Sequence, residues 1–101
     1  MFDAALPSGR AKQELNRLLE TGRFRHSRHF IDELANDDLT TEDVRHICRF
    51  GAILMAPEVD IRSGEWKYRI EGVTIEGVGV AVVFTFREGR VVFITVFKRS
   101  G

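Results

Sequence analysis

The chain has 101 residues, a length that suits one hydrophobic core and excludes two independent domains. With 44% hydrophobic and 30% charged residues, its composition is that of an ordinary soluble protein and excludes a disordered or membrane chain. The 15 basic residues balance 15 acidic ones, so the chain lacks the overall positive charge of a non-specific nucleic-acid binder. We therefore expect a single domain over residues 1–101, with any basic patch confined to part of its surface.

The sequence predicts neither a membrane span nor a secretion signal. Its longest apolar run, from Val78 to Phe86, is far shorter than the ~20 residues that a transmembrane helix needs. The segment from Met1 to Pro7 lacks the basic and apolar parts of a secretory signal. We therefore expect a cytoplasmic protein that does not bind a membrane. Its one cysteine, Cys48, excludes an internal disulfide and is predicted to be buried.

The first half of the chain predicts three short helices, because apolar residues recur there at spacings of three and four. Ser27 is placed to cap the second helix, and the residues from Thr40 to Asp43 supply hydroxyls and carboxylates suited to the start of the third. Gly22 is placed to stop the first helix. The apolar stripes are Leu15, Leu18 and Leu19; Phe30, Ile31 and Leu34; and Val44, Ile47 and Cys48.

The second half predicts strands. Trp66, Tyr68 and Ile70 alternate with Lys67 and Arg69, which indicates a half-buried strand with two cations on its polar face. Residues 73–86 and 90–98 are predicted to be central strands joined by a tight hairpin, and residues 53–59 an edge strand interrupted by a proline. The expected fold is α+β, with about three helices followed by a mostly antiparallel meander of about four strands.

Several short motifs, in their order along the chain, resemble one protein family. They are Arg25-His26-Ser27-Arg28-His29, Leu39-Thr40-Thr41-Glu42-Asp43-Val44, Gly51, Trp66-Lys67-Tyr68-Arg69-Ile70 with Gly72, and Val92-Phe93-Ile94-Thr95-Val96-Phe97. Over residues 22–97 they resemble the bacterial domain-of-unknown-function family 4258. The resemblance implies a fold related to RelE-like and MqsR-like toxins, which cleave RNA, and a cognate antitoxin as partner. Members commonly have an arginine in place of Glu33 and a tyrosine in place of Phe97.

Cleavage of RNA without a metal requires a base for the 2′-hydroxyl, a cation for the phosphate charge and an acid for the leaving oxygen. His29 is the candidate base, since imidazole exchanges protons near neutral pH. Arg69 is the candidate phosphate ligand, because a planar guanidinium can bind two phosphate oxygens. Thr95 would offer its hydroxyl to the same site. Lys67, Arg25 and Arg28 would contact the substrate.

Each candidate also has a purely structural interpretation. His29 would then be a helix-cap or partly buried residue bonded to the backbone, and Arg69 would pair across strands with a carboxylate such as Glu76. Thr95 would be there because threonine favours strands. His26 is predicted to be a plain surface residue. No metal site is expected, because ligands spaced i, i+3 and i+6 on one helix do not all point the same way.

The leading hypothesis is a RelE-like ribonuclease that acts on RNA without metal or cofactor, with His29, Arg69 and Thr95 as its catalytic residues. The alternative is a non-catalytic module on the same fold that binds a partner protein or a second copy of itself. The residues at positions 33 and 97 and the balanced charge favour that alternative, since they remove groups that contact phosphate or move protons.

Overall fold

A computed structural model describes residues 4–99, which form three helices and a five-stranded mixed sheet. The helices are α1 (Ser8–Glu20), α2 (Arg28–Asn36) and α3 (Thr41–Phe50). The strands are β1 (Phe24–His26), β2 (Glu58–Val59), β3 (Trp66–Val73), β4 (Gly79–Arg87) and β5 (Arg90–Lys98). Residues 1–3 and 100–101, which the predicted domain includes, lie outside the described residues. None of the helices among residues 4–99 is both long enough and apolar enough to cross a bilayer.

The strand order is β1-β5-β4-β3-β2, with β1 parallel to β5 and the other neighbours antiparallel. The prediction of an α+β fold with helices before the sheet is confirmed. The prediction of about four mostly antiparallel strands was wrong, because the sheet is mixed and has a fifth strand. With only three residues, β1 is too short to show the two-residue period of a strand, and its partner lies at residues 91–93.

Local sequence determines where two of the helices begin. Ser27 Oγ accepts a hydrogen bond from the Phe30 N–H at 3.1 Å, at the start of α2. At the start of α3, Thr40 Oγ1 accepts from the Asp43 N–H at 3.2 Å, and Asp43 Oδ2 accepts from the Thr40 N–H at 2.9 Å. These contacts satisfy N–H groups that have no partner within the helix. Both predicted caps are confirmed, whereas α1 follows Pro7 without a side-chain cap.

The helices cover one face of the sheet, and the core lies between them. Tyr68 and Ile70 of β3 face the helices, as their alternation predicts. Full burial of each large aliphatic or aromatic side chain contributes roughly 1.5–3 kcal/mol to folding. Cys48 is fully buried, as predicted, and its burial raises the pKa of the thiol to about 12. The largest fully buried core side chains include Leu15, Phe30, Ile47, Ile70, Val82, Phe84, Phe93 and Val96.

The hairpin between β4 and β5 is confirmed at residues 87–90. Its two central residues, Glu88 and Gly89, have φ values of 51° and 74°, the left-handed conformation that two-residue hairpin turns require. The preceding connection differs from the prediction, since β4 begins at Gly79 and residues 74–78 form a turn. Gly77 lies in that turn with φ of 85°, a left-handed conformation that favours glycine, so it permits the reversal of the chain.

A bulge in β5 determines which side chains point away from the helices. Val83 pairs with Thr95 but the next residue, Phe84, pairs with Phe93, so Ile94 is the extra residue. Because of this insertion, the core-facing positions change from 91 and 93 before the bulge to 96 after it. Thr95 therefore projects from the face of the sheet opposite the helices, which we call the open face.

Candidate functional site

A row of three residues crosses the open face and forms the centre of the candidate site. Arg69 of β3 is in register with Val83 of β4, and Val83 is in register with Thr95 of β5. Neighbouring strands lie about 4.8 Å apart, so the Cα atoms of Arg69 and Thr95 are separated by roughly 10 Å. A long arginine side chain can extend over the intervening valine towards the threonine hydroxyl.

A cavity of about 260 Å³ lies over this row. Lys67 and Arg69 line it on one side, and Ile94 and Thr95 line it on the other. Met55, Ala56 and Glu58 contribute the rim. The structure therefore brings three of the sequence-predicted site residues, Lys67, Arg69 and Thr95, into one groove.

Arg69 is held from two sides. Its Nε lies 3.2 Å from Glu71 Oε2 as an ion pair, outside hydrogen-bonding geometry, and its guanidinium carbon lies 5.0 Å from the centre of the Phe97 ring. Glu71 is only 7% exposed and also pairs with Arg99, whose Nε lies 2.7 Å from Oε1. The partner of Arg69 is thus on its own strand, and the predicted cross-strand partner Glu76 was wrong.

Lys67, the second cation of the groove, also faces a carboxylate. Its Nζ lies 3.8 Å from Asp60 Oδ2. Hydrogen bonds from the backbone N–H groups of Arg62 and Ser63 lower the pKa of Asp60, and the charge of Lys67 lowers it further. This carboxylate is therefore ionised at neutral pH and offsets part of the positive charge at Lys67.

Glu33 of α2 contacts Thr95, the last residue of the row on the open face. Its Oε1 accepts a hydrogen bond from the Thr95 hydroxyl and lies 3.0 Å from His29 Nε2. The same oxygen accepts from the Val96 N–H at 3.4 Å. His29 and Glu33 are four residues apart on α2 and so lie on one face of the helix. The family pattern marks Glu33 only as the loss of an arginine, yet it contacts two of the three predicted catalytic residues, His29 and Thr95.

Three predicted site residues lie outside the cavity. His29 is on the exposed side of Glu33, with 68% of its side chain accessible, and it contacts a carboxylate instead of the backbone. Arg25 is exposed on β1 in register with Val92, which places it on the open face beyond β5. Arg28 is the exposed first residue of α2. Glu33 links His29 to Thr95, whereas the two arginines remain at the margin.

His26 was predicted to be a plain surface residue, and that prediction was wrong. Its ring stacks on Phe30 at 5.3 Å and on Phe93 at 5.4 Å between ring centres. Burial lowers the pKa of His26, and the positive charge of Arg45 lowers it further. A neutral imidazole packed between aromatic rings suits a structural role. Among residues 4–99, no group of three or more His, Cys, Asp or Glu side chains is arranged to hold a metal ion.

The elements that build the open face match a known protein family. The family model described as a domain of unknown function (DUF4258) matches residues 26–98, almost three quarters of the chain. The chain belongs to the DUF4258 family. The match covers α2, α3 and β2 to β5, and it leaves α1 outside. No curated protein and no solved structure gives a significant match. The DUF4258 resemblance is thereby confirmed, and a relation to RelE-like toxins stays a prediction.

Proposed function

We propose that this DUF4258 domain is a metal-independent ribonuclease that cleaves RNA in the groove of the open face. The supporting observation is the Arg69-Val83-Thr95 row, with the Glu33 carboxylate and the His29 imidazole at its end. A cation and a hydroxyl thus line the groove, and a carboxylate and an imidazole of α2 continue from its Thr95 end. These groups supply phosphate binding and proton transfer, which metal-free cleavage of a phosphodiester needs.

Arg69 is the group that binds the scissile phosphate. Glu71 Oε2 lies 3.2 Å from its Nε, and the Phe97 ring centre lies 5.0 Å from its guanidinium carbon. Within the described part of the chain, the two terminal nitrogens make no hydrogen bond and remain available to phosphate oxygens. A guanidinium held in this way binds the charge that develops on the phosphate without having to reorganise. Lys67, in the same cavity, supplies a second positive charge.

His29 is the base, and Glu33 is the residue that orients it. His29 Nε2 lies 3.0 Å from Glu33 Oε1, so Nδ1, the other ring nitrogen, is the one that takes up a proton. Thr95 donates to the same carboxylate oxygen, so it fixes the position of Glu33. Phe97 provides no phenolic hydroxyl but packs against Arg69. The two departures from the family pattern are compatible with chemistry through this arrangement.

The cleavage step follows from these roles. His29 Nδ1 takes the proton of the 2′-hydroxyl, the 2′-oxygen forms a bond to phosphorus, and the bond from phosphorus to the 5′-oxygen breaks. The leaving 5′-oxygen takes a proton from water, and the resulting hydroxide removes the proton from the imidazolium. The products are a 2′,3′-cyclic phosphate and a free 5′-hydroxyl. The groove serves this step by holding the phosphate at Arg69 while the base acts from the side of α2.

The test is incubation of the purified protein with single-stranded RNA in EDTA. We expect cleavage by the wild-type protein and a loss of about 100- to 10,000-fold in His29→Ala, the usual contribution of a general base. Arg69→Ala should lose about 100- to 1000-fold. Arg10→Ala, which removes an exposed arginine of α1 outside the cavity, is the matched control and should cleave like wild type. Absence of cleavage, or equal rates in all four proteins, would disprove the ribonuclease.

A second function, binding without catalysis, is favoured by one observation. Both cations of the groove already face carboxylates, Lys67 facing Asp60 and Arg69 facing Glu71. Such pairing reduces the positive charge available to the additional negative charge of the transition state, which lowers catalysis more than binding. An RNA whose 2′-hydroxyls are methylated cannot be cleaved by this route but retains its phosphates. If it binds wild type and Arg10→Ala more tightly than Arg69→Ala while ordinary RNA stays intact, the groove is a binding site only.

A further inference from the structure

A second groove, distinct from the open face, lies between α3 and α1, whose Asn16, Leu19 and Glu20 also line it. It has a volume of about 470 Å³. Its lining includes Glu42, His46, Arg49 and Phe50, which recur at spacings of three and four and therefore form one stripe along the helix. Ile75, from the turn between β3 and β4, completes the groove. We call Ile75 and the four residues of the stripe the α3 face.

Two large apolar side chains are exposed on the α3 face. Phe50 is 67% exposed and Ile75 is 83% exposed. Phe50 is nevertheless held in place, because its ring lies 4.9 Å from the His46 ring and 5.6 Å from the guanidinium carbon of Arg49. A fixed aromatic ring loses little conformational freedom when a partner covers it, which is typical of side chains that dominate an interface.

The charges of the α3 face are complementary between two copies when their α3 helices pack antiparallel. Glu42 lies in the first turn of α3 and Arg49 in the last turn. If a second α3 packs antiparallel about a two-fold axis near His46, each Glu42 meets the Arg49 of the other copy. A parallel arrangement would place like charges together. An isologous interface needs this kind of self-complementary patch.

We propose that the α3 face is the interface of a homodimer in which two α3 helices pack antiparallel. The two His46 residues lie nearest the two-fold axis, a pair of Glu42 with Arg49 lies on either side of it, and Phe50, beyond each Arg49, and Ile75 supply the apolar surface. The formal net charge of zero leaves no overall repulsion between two copies. The α3 face shares no residue with the cavity of the open face, so the dimer stands independently of the proposed ribonuclease.

The first experiment is sedimentation equilibrium of the full chain over micromolar to millimolar concentrations. We expect a mass approaching twice the 11.5 kDa of one chain. Phe50→Asp should raise the dimer dissociation constant by about 30-fold or more, because it replaces a large apolar interface side chain with a charge. Ile61→Asp is the matched control, because Ile61 is 86% exposed and lies outside the α3 face. It should dimerise like wild type.

A charge exchange tests the antiparallel geometry. Glu42→Arg and Arg49→Glu should each weaken the dimer by about 10-fold or more, since each brings like charges together on both sides of the two-fold axis. The double variant, in which the two charges are exchanged, should restore the wild-type dissociation constant. Circular dichroism establishes that every variant is folded. A monomeric wild type, equal effects of Phe50→Asp and Ile61→Asp, or a double variant as weak as the single ones would each overturn the proposal.

Discussion

The imidazole of His26 packs the start of α2 against the sheet. The ring of His26 lies between Phe30 of α2 and Phe93 of β5, with ring centres 5.3 and 5.4 Å away. Burial lowers its pKa, and so does the positive charge of Arg45 on α3. Glu42 lines the same small cavity and is the carboxylate that faces it from α3. The folded protein therefore favours the neutral form of His26 over the charged form.

Stability should fall at mildly acidic pH because of His26. An unfolded histidine has a pKa of about 6.5, and the folded value is lower, so between the two values the unfolded chain binds more protons. The contribution of the neutral ring is complete above about pH 6.5 and is lost as the pH falls towards the folded pKa. Urea unfolding at pH 8, 6.5 and 5.5 measures this decrease. His26→Phe should show a smaller decrease, and an unchanged one would contradict the assignment.

At the level of single residues, the sequence predicted the cations of the groove better than its carboxylate. The alternation in β3 places Lys67 and Arg69 on one face, and the family resemblance added Thr95. The contact between Glu33 and Thr95 spans 62 residues, and only the docking of α2 on β5 creates it. From the sequence alone, Glu33 is notable only because family members commonly have an arginine there. The spacing of four from His29 was the one local signal of its role.

Among the elements, the end of α3 and the last residues of β3 approach so closely that a side chain does not fit between them. The Ala52 N–H donates to the Glu71 carbonyl at 2.8 Å, and the Glu71 N–H donates back at 2.9 Å. A Cβ atom at Gly51 would lie 2.5 Å from the carbonyl oxygens of Glu71 and Ile47. At Gly72 it would lie 3.1 Å from the Gly51 Cα. These two glycines therefore set the distance between the helix layer and the sheet.

Gly51→Ala should destabilise the protein by about 2–4 kcal/mol, because the backbone atoms in the way cannot move without separating α3 from β3. Gly9→Ala is the control. Gly9 lies in the first turn of α1 with nothing within 4 Å of the added carbon, and alanine there should stabilise by about 0.4–1 kcal/mol. Chemical denaturation of both variants measures the difference. Equal stability of the two would show that the close approach is unimportant.

The helices were easier to predict than the strands for a physical reason. Ser27 and the residues from Thr40 to Asp43 cap their helices through contacts within three residues, which local sequence reveals. The pairing of β1 with β5 and the bulge at Ile94 depend on distant parts of the chain. A contact between distant parts of the chain also connects α1, which lies outside the family match, to the end of α3. There Lys12 Nζ donates to the Gly51 carbonyl at 2.6 Å and completes the end of α3.

For the whole molecule, the buried thiol of Cys48 is a natural reporter of unfolding. The side chain is fully buried, and its pKa is raised to about 12. Since only the thiolate reacts, the folded protein should resist a thiol reagent at pH 8, whereas the unfolded chain should react at the rate of a free cysteine. Labelling in increasing urea should follow the same transition as circular dichroism. Fast labelling in the absence of urea would show that the core opens locally around α3.

The pairing of β1 with β5 has a consequence for the protein while it is being made. Ser27 donates its hydroxyl proton to the Ile94 carbonyl, a contact that joins residues 67 positions apart. At the usual rate of translation, that interval takes roughly 3 to 13 seconds. Until Thr95 has left the ribosome, Glu33 has no hydroxyl to accept from and the groove has only one wall. A nascent chain that lacks Thr95 therefore has no complete groove.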